Sequence, residues 1–302
     1  IKGKFNSSEL LTNSIRKTQF YGADDEQRTT SDTKYNNQLD RQQGNVNINF
    51  YKKLHSNKRN FGAGIRLQTF KNENIRDQFT ENVNTSNRYK RTIQVLRNQD
   101  VKTDYSNFYL QYTEPLNVRH FLKIRIDFQN QKSTEQIYQN RVKNTYEDST
   151  LNYSFKNLEE SRKTTLTYNY NTPKFNLFFG TEVQQLTRII NLYKKRINKS
   201  NDLYWNPKFS IRYKPKKGSN YFLNYRKLIK SPRNNQISPI GDDLNPFYIR
   251  QGNPQLEIER IDNVDLNLTH HNFRSGLSLF SKLNYRHIDD AVIPSLLIND
   301  TF

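Results

Sequence analysis

The sequence predicts an all-β chain, an antiparallel transmembrane β-barrel portion of about 11–12 strands. Three observations carry that expectation. Apolar and polar residues alternate with period two over several segments, and the apolar faces hold no charge at the strand centres. Short and long connections alternate along the chain from about residue 45. The chain is polar, with 33% hydrophobic residues, yet it carries 19 Tyr, 19 Phe and one Trp. Disordered chains are poor in aromatics, and a barrel wall needs apolar residues only at alternate positions.

Taken in order, a first strand is expected around Glu9 to Phe20, followed by a polar loop from Gly22 to Gln43. Strand 45–54 then meets strand 60–70 through His55 to Arg59. In the latter, Phe61, Ala63, Ile65 and Leu67 share one face and Gly62, Gly64, Arg66 and Gln68 the other. A long polar link, 71–103, leads to strands 104–114 and 119–130, joined by Pro115-Leu116-Asn117. There Leu122, Ile124, Ile126 and Phe128 oppose Lys123, Arg125 and Asp127. After a second long link come strands 163–170 and 175–185 around Asn171-Thr172-Pro173. A third long link ends near Asp202; strands 204–213 and 220–228 follow, with Lys214 to Gly218 between them. Strands 257–270 and 275–287 flank His271 to Arg274, and a twelfth strand is expected near Leu297. Thr92 to Leu96 and Leu151 to Phe155 read as strands continuing past the membrane into the long links. Short turns on one side and long loops on the other are the habit of outer-membrane barrels, where the outer loops are the long ones.

Composition excludes several classes. There is no Cys, which removes thiol nucleophiles, disulfides and thiolate metal sites. No apolar run approaches the roughly 20 residues of a helical span. With no Met and no apolar leader, the sequence reads as a mature or internal piece of something longer. Neither a phosphate-binding Gly-rich loop nor a hydrolase or zinc-protease motif occurs, so an enzyme is not expected. The net charge of +19 invites anionic partners, but charges on solvated loops are the preferred account of it. Basic clusters such as Lys194-Lys195-Arg196 lie near aromatics that alternate along strands, which suits a membrane interface and not nucleic acid.

A proline-rich break in the strand pattern runs from Ser231 to about residue 256. It contains Lys230-Ser231-Pro232, Leu244-Asn245-Pro246-Phe247 and Gly252-Asn253-Pro254-Gln255-Leu256. Its prolines remove backbone donors, so no central strand can run through it. This set resembles the barrel of Bacteroidota-type TonB-dependent outer-membrane receptors. The family's usual Arg before Ser-Pro is Lys230 here, and Glu257-Ile258-Glu259 lacks the proline of the family's next step. The resemblance implies a barrel closing at about 22 strands with an N-terminal plug inside. It further implies energised ligand uptake and no catalysis. The implied partners are outer-membrane lipid, a plug domain, a TonB-type energy transducer and candidate surface lipoprotein or other envelope subunits. No plug-like βαβ pattern and no interior helix is visible, so residues 1–302 are expected to be an incomplete barrel portion. Ser231, Pro232, Leu244, Asn245, Pro246, Phe247, Gly252, Asn253, Pro254 and Leu256 form the family motif loop.

Residues opposite the apolar faces are candidates to line the lumen: Arg66, Lys123, Arg125, Asp127, Arg212, Arg226, Lys282 and Arg286, with Glu182 and Asp265. His270-His271 would point to opposite faces of a strand, so no metal site or other cofactor is expected. Asp24-Asp25, Asp242-Asp243 and Asp289-Asp290 read as solvated loop carboxylates. Two alternatives to an uptake receptor stand: a structural or accessory barrel subunit of an envelope complex, and a soluble, basic all-β protein for anionic ligands. In the soluble protein the apolar faces would pack a core.

Overall fold

The computed structural model describes residues 2–21, 27–54, 59–84, 90–144, 146–241 and 249–295. Eleven strands form one antiparallel meander ordered by the chain itself. They are β1 (Lys2–Tyr21), β2 (Gln27–Lys53), β3 (Asn60–Asn84), β4 (Lys90–Pro115), β5 (His120–Lys143) and β6 (Tyr146–Asn171), then β7 (Phe175–Leu192), β8 (Lys195–Tyr213), β9 (Ser219–Lys230), β10 (Glu259–His271) and β11 (Ser278–Asp289). The strand expected near Leu297 lies outside the described residues.

The strands are far longer than expected. Residues 71–84 and 90–103 of the first polar link, 131–143 and 146–162 of the second, and 27–43 of the loop from Gly22 to Gln43 are themselves strand. The extensions at Thr92 to Leu96 and Leu151 to Phe155 belong to β4 and β6. What the sequence presents as a long loop after β7 is a two-residue hairpin, with Tyr193 and Lys194 at φ 49° and 66°. Two successive positive φ values match the right-handed twist of the flanking strands. The interior helix that was not expected exists as a single turn, α1 (Asn234–Ile237), between β9 and β10.

Register defines two faces. Residues 231–241 and 249–258 pack on one of them, here the inner face. In the half of each strand next to the short turns, here the lower half, the outer face carries a continuous apolar belt. Ile48 stands opposite Ile65, and Ile65 opposite Phe108. Phe108 meets Phe128, Ile124 meets Leu166, and Tyr168 meets Phe179. Phe179 meets Phe209, Ile211 meets Leu223, and Leu223 meets Leu266. No charge interrupts the belt between these positions. Its side chains face outward: Phe179 is 52% exposed and Trp205 66%. Such a face is stable against hydrocarbon and costly against water. The apolar faces do not pack a core against each other, so the soluble alternative falls. The Trp205 indole N–H donates to the Thr181 hydroxyl at 2.6 Å, which lets the ring face lipid with its donor satisfied.

Below the belt runs an aromatic girdle. His120 packs on Tyr170 (4.6 Å), Tyr170 on Phe175, Phe175 on Tyr213, and Tyr213 on Tyr221, each within 6.5 Å. Amphipathic rings at this level anchor a barrel at the membrane–water boundary. Among the described residues no helix is long and apolar enough to cross a membrane; the crossing elements are the strands.

Candidate functional site

The site is built where the sheet ladder is weakest. β7 and β8 pair from Phe175 to Leu192, whereas β8 and β9 pair only from Lys208 to Tyr213. Pro207 stands at the upper end of the short ladder and has no N–H to continue it. Above it β9 leaves β8 and pairs with β10 alone. The chain after Lys230 turns through this gap onto the inner face.

Three polar contacts lock the entry. The Ser231 hydroxyl donates to the Glu159 carboxylate at 2.9 Å, and Pro232 is buried. Asn157 donates to the Asn234 side-chain oxygen at 3.3 Å, and the Asn234 amide donates to the Ser133 hydroxyl. The helical turn then points Ile237 at the wall. Ile237, Phe155 and Ile190 are each 0% exposed, and with Ile137 and Tyr153 they form a small core. Ile240 and Leu256 from the same segment pack on it.

The return half of the segment is tied by backbone groups. Gly252 N–H donates to the Ser238 carbonyl at 2.8 Å, and Asn253 N–H to the Gln236 carbonyl at 2.7 Å. A Cβ at Gly252 would lie 2.5 Å from the Gln236 oxygen, so this glycine is required for close approach. Asn253 turns the chain by accepting the Gln255 N–H at 2.9 Å. Arg188 and Asn198 donate to the carbonyls of Leu256 and Pro254. At the exit, Lys230 pairs with Glu259, which also accepts the Val292 N–H at 3.0 Å. The Lys230 ammonium is the largest cause holding the Glu259 carboxyl below the ordinary carboxylate range.

Beneath the entry lies a polar cavity of about 240 Å³. Gln129, Gln131, Glu159, Ser161, Lys163, Glu182, Gln184, Asn206 and Ser231 line it. Such a surface can hydrogen-bond a hydrated solute.

Of the motif residues, Ser231, Pro232, Gly252, Asn253, Pro254 and Leu256 come together in this inward fold. Leu244, Asn245, Pro246 and Phe247 lie outside the described residues, as do Asp242 and Asp243. The candidates opposite the apolar belt all stand on the inner face by register. Arg125 clamps Asp127 with two 2.7 Å bonds and lies 4.1 Å over the Tyr109 ring. The Tyr109 hydroxyl donates to Asn49 at 2.8 Å and meets that of Tyr51 at 3.1 Å. Arg66 donates to Asn47 at 2.8 Å, Arg286 to Asn263 at 3.1 Å, and Arg212 stacks over Phe222. Arg226 stands opposite Asn263, Lys123 opposite Thr167 and Lys282 opposite Asn267. His270 and His271 end β10 instead of turning the chain, and each meets a serine hydroxyl. Among the described residues no group of three His, Cys, Asp or Glu is arranged to hold a metal ion.

Ser133, Asn157, Glu159, Arg188, Asn198 and Ile237 hold the infolded stretch in place, and sequence reasoning missed them. Glu159 and its neighbours sit in a stretch whose polarity reads as loop. Ile237, a lone apolar residue between Asn-Asn-Gln and Ser-Pro, was the one available signal.

A membrane-facing belt, an aromatic girdle and a polar inner wall with an infolded loop define an outer-membrane β-barrel wall. The chain belongs to the outer membrane protein beta-barrel family, whose model matches residues 52–301, and its place is the outer membrane. No curated protein matches it. Among solved structures it is similar to the alcaligin outer-membrane receptor of Bordetella pertussis, at 11% identity and TM-score 0.43, over 97% of this chain and 52% of that one. The ferric yersiniabactin uptake receptor of Yersinia pestis matches at 10% identity and TM-score 0.41, over 95% and 50%. The ferric-catecholate import receptor of E. coli matches at 8% and 0.45, over 95% and 57%. The chain thus spans about half the length of the structures it matches.

Proposed function

We propose that this chain is the wall of a receptor-like barrel that takes up a scarce ligand by energised transport and is not catalytic. The carrying observation is the stretch after Lys230, whose described residues 231–241 and 249–258 fold from the long-hairpin end onto the inner face above a polar cavity. A loop that narrows the passage at that end suits a gated receptor; a purely structural wall has no need of one. The motif residues that place the loop are those of the resemblance to TonB-dependent receptors. Under this reading a plug domain fills the barrel and a TonB-type transducer supplies the energy. A surface lipoprotein is the remaining partner that the resemblance suggests.

Epistasis tests the reading. Strains lacking this protein, lacking the energy transducer, or lacking both are grown on a panel of limiting nutrients. Energised uptake predicts at least one nutrient on which the single and double deletions show the same defect. Additive defects, or no defect on any nutrient, would overturn it.

A further inference from the structure

One line of directly opposed residues crosses the lower inner face from β2 to β11. Lys53 opposes Asn60, Asn60 opposes Thr113, and Thr113 opposes Lys123. Lys123 opposes Thr167, Thr167 opposes Gly180, and Gly180 opposes Lys208. Lys208 opposes Arg226, Arg226 opposes Asn263, and Asn263 opposes Arg286. Five cations share this line with no carboxylate, and its other members are small or uncharged.

Lys208 and Arg226 are the informative pair. Like charges directly opposite across a ladder destabilise a sheet. The Lys208 stem lies over Gly180, whose missing side chain leaves room for it at 3.0 Å. The flanking carboxylates offset the charge only in part. Asp127 is held by Arg125. Glu182 lies 3.7 Å from Lys208 and also accepts from Thr165 and Asn206. Asp265 accepts from Asn224 and Asn284 and feels both Arg226 and Lys282. Arg212 and Lys282 add further cations two inner-face positions nearer the short turns. Water on one side and hydrocarbon on the other leave this excess poorly screened.

We propose that this line is an anion-binding stripe and that the transported ligand is a solute carrying several anionic groups, carboxylate or phosphate. The inference rests on the uptake reading above, in which the ligand passes along the inner face, between the wall and the plug domain. Lys208 and Arg226 stand on adjacent strands, about 4.8 Å apart, so neighbouring anionic groups of one such solute can meet both.

The purified full-length outer-membrane protein in detergent is titrated with citrate, with inorganic pyrophosphate and with a neutral disaccharide, at constant ionic strength. A heat-modifiability gel on the same sample reports the closed barrel. Expected is saturable binding of one or both anions and none of the disaccharide. Lys208→Gln and Arg226→Gln each weaken binding about tenfold, the worth of one charge-assisted contact. Lys71→Gln, on the outer face beside Glu73, changes nothing. In anion-free buffer the Lys208→Gln barrel melts at a higher temperature than the parent, because the like-charge pair is gone. Citrate and pyrophosphate compared separate carboxylate from phosphate recognition. A normal gel shift without saturable anion binding, or binding indifferent to both substitutions, overturns the stripe while the barrel stands. Loss of the gel shift in the parent protein sinks stripe and barrel together.

Discussion

On β5, Leu122, Ile124, Ile126 and Phe128 point outward, whereas Ile137 on the same strand points inward at 1% exposure. β6 shows the same exchange between Leu166, facing out, and Phe155, facing in. So does β7 between Phe179 and Val183 below and Leu186 and Ile190 above. On these three strands the lower half turns its largest apolar residues to lipid, and the upper half buries Ile137, Phe155, Leu186 and Ile190 on the inner face. Pairing on these strands continues unbroken between the two halves. What changes is the medium outside. Hydrocarbon outside draws apolar side chains outward, and water outside sends them in. A period-two strand accommodates both by changing which parity is apolar.

The largest expected effect breaks the lower half alone. Ile124→Arg places a charge on the lipid face, at a cost of about 2–4 kcal/mol near the midplane. The folded, heat-modifiable band in outer-membrane fractions should disappear, whereas Thr165→Arg on the inner face should keep it.

A smaller effect breaks the upper half alone. Ile237→Ala empties the centre of the loop core, at a cost of about 2–4 kcal/mol. The loop should then be cut by trypsin after Lys230, Arg233 and Arg250 in a barrel whose gel shift is unchanged. Unaltered cleavage rates would show that the loop is held by something other than this core.

Gly252→Ala sharpens the same comparison without touching the core. Its Cβ must displace the Gln236 and Ser238 carbonyls, an overpacking of about 1–3 kcal/mol. Tryptic cleavage should rise, but less than for Ile237→Ala.

The smallest effect is set by pH. Lys230 lowers the Glu259 pKa in the folded state, so this contribution is complete above the ordinary glutamate pKa and is lost as pH falls through the lowered value. Protease sensitivity near Lys230 should increase only in acid. Glu259→Gln should raise it at neutral pH and remove the acid step. A pH-independent parent would exclude the pair as the latch.

The sequence by itself determined the eleven strands, their short turns, the lipid belt and the break at Ser231. All of these follow from local alternation or from proline chemistry. It also placed Lys123, Arg125, Arg226 and Arg286 opposite the apolar belt, since parity is a local property. Only the tertiary structure decided the length of the strands. Residues 71–103 and 131–162 change their apolar parity and are rich in Asn, Gln and charge, so their periodicity reads as loop until the partner strand is known. The inward fold of the motif loop required Ser133, Asn157 and Phe155 to meet Asn234 and Ile237 across large sequence separations. Lys208 and Arg226 are neighbours by register alone, and register is fixed by pairing that no single strand encodes.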